Sequence, residues 1–333
     1  MTSKRSPVSE LGHGVSQVRL PLPFPRLRWV NVFVVVGDDG LTLIDCGVDS
    51  EESWDTLVAG LTGIGHAVED ITQLICTHLH VDHMGMAARV VAATGAQFVM
   101  HEAADAGLAD YNEWGAGIGR QAALAAHHGI PESAVKEIAE ISPRPDWASQ
   151  GIAPTLAVAD GDLIALGRDR SLEVLYTPGH EAAHICLIDS RTGILFSGDH
   201  VLPRITPVVP HDPGSNRLGT YIESLQRIED LALGLTYPAH GVLVEQGSLR
   251  ARQIILHHER RLGGIVQELR HRPRTAWDIM EEIFRPNLIA FEKRLAFSET
   301  LAHLVHLEYR EEASSFDEHG TTYYRLPPRK LTS

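Results

Sequence analysis

The run Thr77-His78-Leu79-His80-Val81-Asp82-His83 places four side chains able to ligate a metal, His78, His80, Asp82 and His83, within six positions. On an extended backbone, side chains two apart point the same way, so His78 and His80 can grip one cation from one side. Asp82 and His83 stand where the chain turns into the next helix. They aim elsewhere and can hold a second ion. Imidazoles combined with carboxylates suit Zn2+, and iron or manganese also occupies such sets. Three later strand ends each bear one isolated residue of ligand type: His180 in Thr177-Pro178-Gly179-His180, Asp199 in Ser197-Gly198-Asp199, and His240 in Pro238-Ala239-His240-Gly241.

These residues need elements that bring strand ends together. Residues 71–76 form a short, largely β-branched apolar run that reads as a strand, and 84–94 reads as a helix, so the histidines fall on a strand-to-helix loop. Further strands are expected at 15–20, 29–36, 41–45, 97–100, 155–158, 172–176, 184–188 and 194–200, with helices at 51–62 and 218–230. The turn Gly37-Asp38-Asp39-Gly40 joins two of the strands. Asp45 ends an apolar strand; it is either a cap for the helix starting near Glu51 or a partner for a ligating histidine, and the second reading is preferred. His184 and His200 each follow a proposed ligand closely. One loop usually aims one imidazole at a given ion, so both are read as supporting or structural residues. The strand–helix rhythm implies a mixed α/β fold with its site at strand ends.

Residues 102–150 interrupt this rhythm with an Ala-rich helical insertion broken by Gly115, Gly117, Gly119, Pro143 and Pro145, placed to act as a lid or pocket wall. Tyr111, Trp114, His127 and His128 within it read as packing or surface residues. From about 248 the character changes again, to helices at 250–270, 276–284 and 288–311, and then a hairpin, 314–316 with 321–326. The expected domains are therefore 1–247 and 248–333, the second a small helical, winged-helix-like module. Glu308, Glu311 and Glu312 stand where a DNA-reading helix would be basic, which favours a packing or oligomerising role.

With 333 residues and 44% hydrophobic content, the chain can bury one large core and a smaller second one. Residues 1–247 carry 15 Lys and Arg against 31 Asp and Glu, or −16, and residues 248–333 carry 14 against 12, or +2, so the acidity behind the net −14 resides in the part holding the histidine motif. That disfavours a nucleic-acid surface, although bound dications reverse the local sign. No stretch approaches the length needed to cross a bilayer. Cys46, Cys76 and Cys186 lack metal-type spacing and read as buried free thiols in a reducing, cytoplasmic setting. Nothing in the sequence assigns an oligomeric state.

Taken together, Thr77 to His83, Thr177-Pro178-Gly179-His180, Ser197-Gly198-Asp199 and Pro238-Ala239-His240-Gly241 resemble the ordered motif set of the metallo-β-lactamase superfamily over residues 15–245. The resemblance implies a four-layer αβ/βα sandwich with the metal site at one edge between two sheets. It implies that His78, His80 and His180 bind one metal, that Asp82, His83 and His240 bind another, and that Asp199 bridges them. Position 199 is Asp where the antibiotic-degrading members usually have Cys. Position 80 is His where the oxygen-reducing diiron branch has Glu. The pattern is similar to that of the dinuclear hydrolases: glyoxalase II and other thioesterases, lactonases and the RNA-cleaving branch, some with an appended C-terminal domain. Two cations sharing a water lower its pKa toward about 7, and the metal-bridged hydroxide attacks a carbonyl while one metal stabilises the oxyanion. Asp82 and Asp199 are the expected catalytic residues. The expected function is a zinc-dependent hydrolase of a small ester or thioester. The alternatives are a metal-dependent single-stranded RNA endonuclease and a catalytically idle metal-binding module. Metal analysis separates ligand from neighbour: His180→Ala is expected to lower metal stoichiometry and His200→Ala largely to retain it, and equal loss in both would overturn the assignment.

Overall fold

The computed structural model describes residues 7–24, 26–112, 127–139, 147–148, 151–204 and 206–328, with the side chains of 109–112 and 136–139 excepted. The chain forms two compact units, one from 1–114, 144–207 and 227–251, the other from 115–143, 208–226 and 252–333. Beside the tail, the second unit thus takes in 115–143, which lies inside the expected insertion, and 208–226.

In the first unit, β1 (Val8–Gly12), β2 (Val15–Pro21), β3 (Trp29–Val36), β4 (Leu41–Ile44), β5 (Ile71–Ile75), β6 (Gln97–His101) and β7 (Leu156–Val158) form one sheet in chain order. Pairing is antiparallel as far as β4 and parallel beyond it. Parallel neighbours need crossovers. Helix α1 (Glu51–Gly63) joins β4 to β5, and α2 (Val81–Met84) with α3 (Ala87–Thr94) joins β5 to β6. Helix α4 (Ala104–Asn112) follows β6. A second sheet, ordered β12-β11-β10-β9-β8, contains β8 (Leu163–Ala165), β9 (Ser171–Tyr176), β10 (Ile185–Asp189), β11 (Leu195–Gly198) and β12 (Thr236–Pro238).

The alternation of side chains along β3 explains the layering. Val32 and Val34 join Leu43, Leu74 and Phe98 in the core beneath α1 and α3. Phe33 and Val35 point the other way and join Ile44, Ile75 and Val99 against Leu172, Val174, Leu187 and Phe196 of the second sheet. Phe33 packs edge-on to Phe196 and stacks on Tyr237, with centroids 5.4 Å away in both cases. A sheet covered on both faces has no place for a polar alternation, which is why its strands read as near-continuous apolar runs. The layers are those of the mixed α/β sandwich expected from the sequence.

Several local expectations shift. Asp45 lies beyond β4 with φ of 61°, outside the strand. Ser50, not Asp45, caps α1, accepting the Ser53 N–H at 3.1 Å. The helix expected from 84 starts instead at Val81 and breaks at 85–86, so Asp82 and His83 sit in its first turn. β1 and β8 were not legible in the sequence: β1 is half-exposed, and β8 buries only Ile164. Trp114, the glycines at 115, 117 and 119, Pro143 and Pro145 lie outside the described residues, and with them nearly half of the expected lid.

In the second unit, α5 (Glu132–Ala139) precedes α6 (Arg217–Asp230), α7 (Gly247–Leu269), α8 (Ala276–Ile283) and α9 (Ala290–Tyr309), of which α6 and α7 begin or end in the first unit. β13 (Ser314–Glu318) and β14 (Thr321–Arg325) make the closing hairpin, with Phe316 opposite Tyr323. Thr275 and Asp278 form a reciprocal cap on α8. His128 stacks near Tyr324 in a packing role, and His127 is exposed, with its ring 3.3 Å from the Gly320 carbonyl. Among the described residues no helix is long and apolar enough to cross a membrane.

Arg170 and Asp189 tie the start of β9 to the end of β10 through a buried ion pair, with Arg170 Nε 3.1 Å from Asp189 Oδ2. Burial raises the Asp189 carboxyl, but the Arg170 hydrogen bond, the Arg191 N–H and the Arg170 charge override it and hold the pKa below the usual range. Asp189→Ala leaves an uncompensated guanidinium and is expected to cost about 3–5 kcal/mol in urea unfolding. The pair's contribution is present above the ordinary carboxyl pKa of about 4 and is lost as pH falls through the depressed value, so wild type and variant converge in acid. A difference unchanged down to the acid limit would contradict this account.

Candidate functional site

Four strands of the first unit deliver their C-terminal ends to one place. β5 runs into His78 and His80, β9 into His180, β11 into Asp199 and β12 into His240, while α2 contributes Asp82 and His83. All seven converge in two adjacent groups, His78, His80, His180 and Asp199 in one and Asp82, His83 and His240 in the other. In the first, His80 Nδ1 lies 2.9 Å from His78 Nε2 and 3.1 Å from His180 Nε2. In the second, Asp82 Oδ2 lies 3.3 Å from His240 Nε2 and 3.8 Å from His83 Nε2.

Asp199 stands between the groups. Its Oδ1 is 3.3 Å from His240 Nε2, and its Oδ2 is 3.6 Å from His83 Nε2 and 3.7 Å from His180 Nε2. Six of the seven residues are buried, and His80 is half-buried. Buried polar atoms ordinarily have hydrogen-bond partners. Here His83 Nε2, His240 Nε2 and Asp199 Oδ1 have none among the described residues, and all three face the same space. Nitrogen and carboxylate oxygen atoms set this way form the donor set of a divalent metal, and the residues present fit one.

Electrostatics follow from the crowding. Burial pushes His78 down, and neighbouring imidazoles push it further; His80 falls to about 3 for the same reasons. Burial also pulls on His83 and His240, but the charges of Asp45 and Asp199 at His83, and of Asp199 and Asp82 at His240, raise both. Burial raises the Asp82 carboxyl, yet His83 and His240 take it to about 2. The carboxylates are therefore ionised, and a dication must displace protons held against them.

Residues beyond the seven hold this arrangement in place. Asp45 Oδ2 accepts from His83 Nδ1 at 2.8 Å and from the Thr77 hydroxyl at 3.1 Å, while Oδ1 accepts the Thr77 N–H at 2.8 Å. This fixes the His83 tautomer and leaves Nε2 as the lone pair. His184 lies in neither metal-type group. Its Nε2 accepts the Asp199 N–H at 3.2 Å and its Nδ1 meets the Thr177 hydroxyl at 2.8 Å, so it orients Asp199 through the backbone. His200 also lies in neither group, with its ring 5.5 Å from that of His184. Gly198, at φ of 48°, has room for no side chain, because a Cβ would come within 2.7 Å of His184 Nε2. At Gly85 a Cβ would approach the carbonyls of Val81, Trp147 and Gly47 to 2.4–2.7 Å.

Asn31 was missed at the sequence level. Its side-chain amide donates to the carbonyls of Pro238 at 2.9 Å and Gly241 at 3.1 Å, clamping the loop that carries His240. His240 Nδ1 in turn donates to the Trp29 carbonyl at 2.9 Å. A lone amide inside the apolar run of β3 was the available signal.

Comparison with known proteins adds to this geometry. The family model described as "Metallo-beta-lactamase superfamily" matches residues 26–240, and "Metallo-beta-lactamase-like, C-terminal domain" matches residues 262–326. The chain is 28% identical over 327 residues to the Bacillus subtilis (strain 168) protein named Probable metallo-hydrolase YqjP, covering 95% of this chain and 98% of that one. It is 27% identical to the Homo sapiens Acyl-coenzyme A thioesterase MBLAC2, covering 63% and 72%. A metallo-beta-lactamase family protein from Thermus thermophilus superposes with a TM-score of 0.81 at 27% identity, covering 96% of this chain and 100% of that chain.

Asp45 is the sharpest test of the support around the site. Asp45→Ala removes the acceptor of the His83 N–H without touching a candidate ligand, and metal affinity is expected to fall about 10–100-fold by competition with a chromogenic chelator. Unchanged affinity in a folded variant would show that the carboxylate does not hold His83 in place.

Proposed function

The chain belongs to the metallo-beta-lactamase superfamily, and from that premise we propose that it is a zinc-dependent hydrolase of a small-molecule ester or thioester with a two-ion centre. The observation that carries this reading is the position of Asp199, whose carboxylate lies against His240 and His83 of one group and His180 of the other. A single carboxylate serving both sides is what a shared, bridging ligand requires, and a Cys at that position offers one donor atom only. In this reading His78, His80 and His180 hold one ion, Asp82, His83 and His240 hold the other, and Asp199 joins them. When bound, such a pair supplies an acidified water and positive charge opposite a developing oxyanion.

The chain's own residues do the rest. Asp82 stays ionised across the neutral range, so its carboxylate accepts a hydrogen bond from the attacking water and orients it. Asp45 keeps the His83 proton on Nδ1, and the Asn31 clamp keeps His240 Nε2 turned inward. The burial of the histidines and carboxylates excludes bulk water and strengthens each interaction at the centre.

The human acyl-coenzyme A thioesterase among the relatives supports a thioester, and the acidic balance of residues 1–247 disfavours a surface that tracks a long phosphate backbone. The same balance weighs against the RNA-cleaving alternative. The three buried free thiols support a reducing, cytoplasmic setting. The helices and hairpin of the second unit are read as a winged-helix-like module in a packing role.

Steady-state hydrolysis of acyl-coenzyme A, acyl-glutathione and lactone panels, with and without a chelator, tests the proposal. Turnover is expected to be chelator-sensitive and to fall more than about 100-fold in Asp199→Ala, beyond the effect of losing a mere supporting residue. Metal-loaded enzyme that ignores every carbonyl substrate but cuts single-stranded RNA would replace this reading with the phosphodiester one, and inertness toward both would leave an idle metal-binding module.

A further inference from the structure

A third group of metal-type side chains lies in the second unit and takes no part in the chemistry above. His258 is on α7, and Glu299 and His303 are on α9, four residues apart and therefore on one helical face. Their exposures are 0%, 5% and 0%, so all three are core residues. One ligand atom from each lies within 4.8 Å of the other two. Two histidines and a glutamate seldom meet inside a helical core without a reason, since each must be desolvated.

The atoms are set as ligands would be. His258 Nδ1 is 3.1 Å from His303 Nε2. The imidazole pairs of the catalytic centre show the same spacing, at 2.9 and 3.1 Å. Two nitrogens on one tetrahedral zinc, with bonds of roughly 2.0–2.1 Å, stand about 3.3 Å apart. His303 Nδ1 donates to the Glu299 carbonyl at 2.7 Å, so the lone pair is on Nε2, facing His258. A ligating imidazole is usually oriented by just such a bond from its other nitrogen. Burial pushes His258 to about 2 and His303 to about 3, which keeps both rings neutral and able to ligate.

We propose that His258, Glu299 and His303 form a separate divalent-cation site of zinc type, which clamps α7 to α9 within the second unit. Two imidazoles and a carboxylate are a sufficient protein contribution to such a site. Arg261 ion-pairs with Glu299, so the cation shares this carboxylate with a guanidinium. The site is accordingly weaker than the seven-residue centre and gives up its ion to a chelator first. Its signal was present in the sequence as a Glu and a His at helical spacing of four and a distant His257-His258 doublet.

The test is metal analysis of the full-length chain after loading with Zn2+ or Co2+ and removal of free metal. The His78→Ala, His180→Ala, His240→Ala triple variant leaves the proposed site untouched, and it is expected to retain about one ion per chain, lost on adding His303→Gln. In the otherwise wild-type chain, His303→Gln is expected to lower the content from about three ions to about two while hydrolysis is unchanged and the metal-dependent gain in Tm shrinks. A triple variant that retains no ion, or a His303→Gln change that removes none, would overturn the site. If His303→Gln does not fold, the metal content of the wild type and of the triple variant decides the question. Because these readouts are stoichiometry and melting, they stand apart from whether the first unit hydrolyses esters.

Discussion

A buried carboxylate at the end of β4 is the constraint on which the centre depends. Asp45 is 2% exposed and holds a left-handed backbone conformation, which turns the chain sharply away from the sheet. From there it accepts hydrogen bonds from the Thr77 backbone, the Thr77 hydroxyl and His83 Nδ1. Those bonds fasten the start of the histidine loop and the helical turn that ends it to one point. The neighbouring backbone is stitched in the same way, with the Cys46 N–H to the His83 carbonyl at 2.7 Å and the Met86 N–H to the Gly47 carbonyl at 3.0 Å. A buried carboxyl group in such a place is tolerated because both of its oxygens accept hydrogen bonds.

Asp199 and His240 reach the centre by the same device, a strand end whose direction is fixed by a buried polar contact. His184 takes the Asp199 N–H, and Gly198 gives the backbone room to approach it. Asn31 reaches from the first sheet to the carbonyls flanking His240, while the Asn31 N–H meets the Ala239 carbonyl at 2.7 Å. Apolar packing brings the sheets together, since Phe33, Phe196 and Tyr237 interlock between them. Packing alone leaves rotation about each loop undefined, and these directional bonds remove that freedom.

The second unit shows the same chemistry in another setting. His258 and His303 are pushed below the usual imidazole range because they are buried among helices, whereas His83 and His240 are raised above it because they face carboxylates. One residue type thus takes opposite proton affinities in a single chain, according to whether desolvation or an opposite charge dominates.

By itself, the sequence marked the candidate ligands and the order in which the scaffold presents them. The spacing of His78, His80, Asp82 and His83, the isolated His180, Asp199 and His240 after apolar runs, and most strands and helices were legible, because hydrophobic periodicity and ligand chemistry are local properties. β1 and β8 were not, because half-exposed edge strands carry little apolar pattern. Nor was the start of α2 at Val81, where His80 stands as the cap without a side-chain capping hydrogen bond to mark it. Only the tertiary structure decided that Asp45 serves His83, that His184 supports Asp199, that Asn31 holds the His240 loop, and that His258 meets Glu299 and His303. Each of these is a contact between segments far apart in the chain, and its existence depends on directions in space that no local pattern encodes.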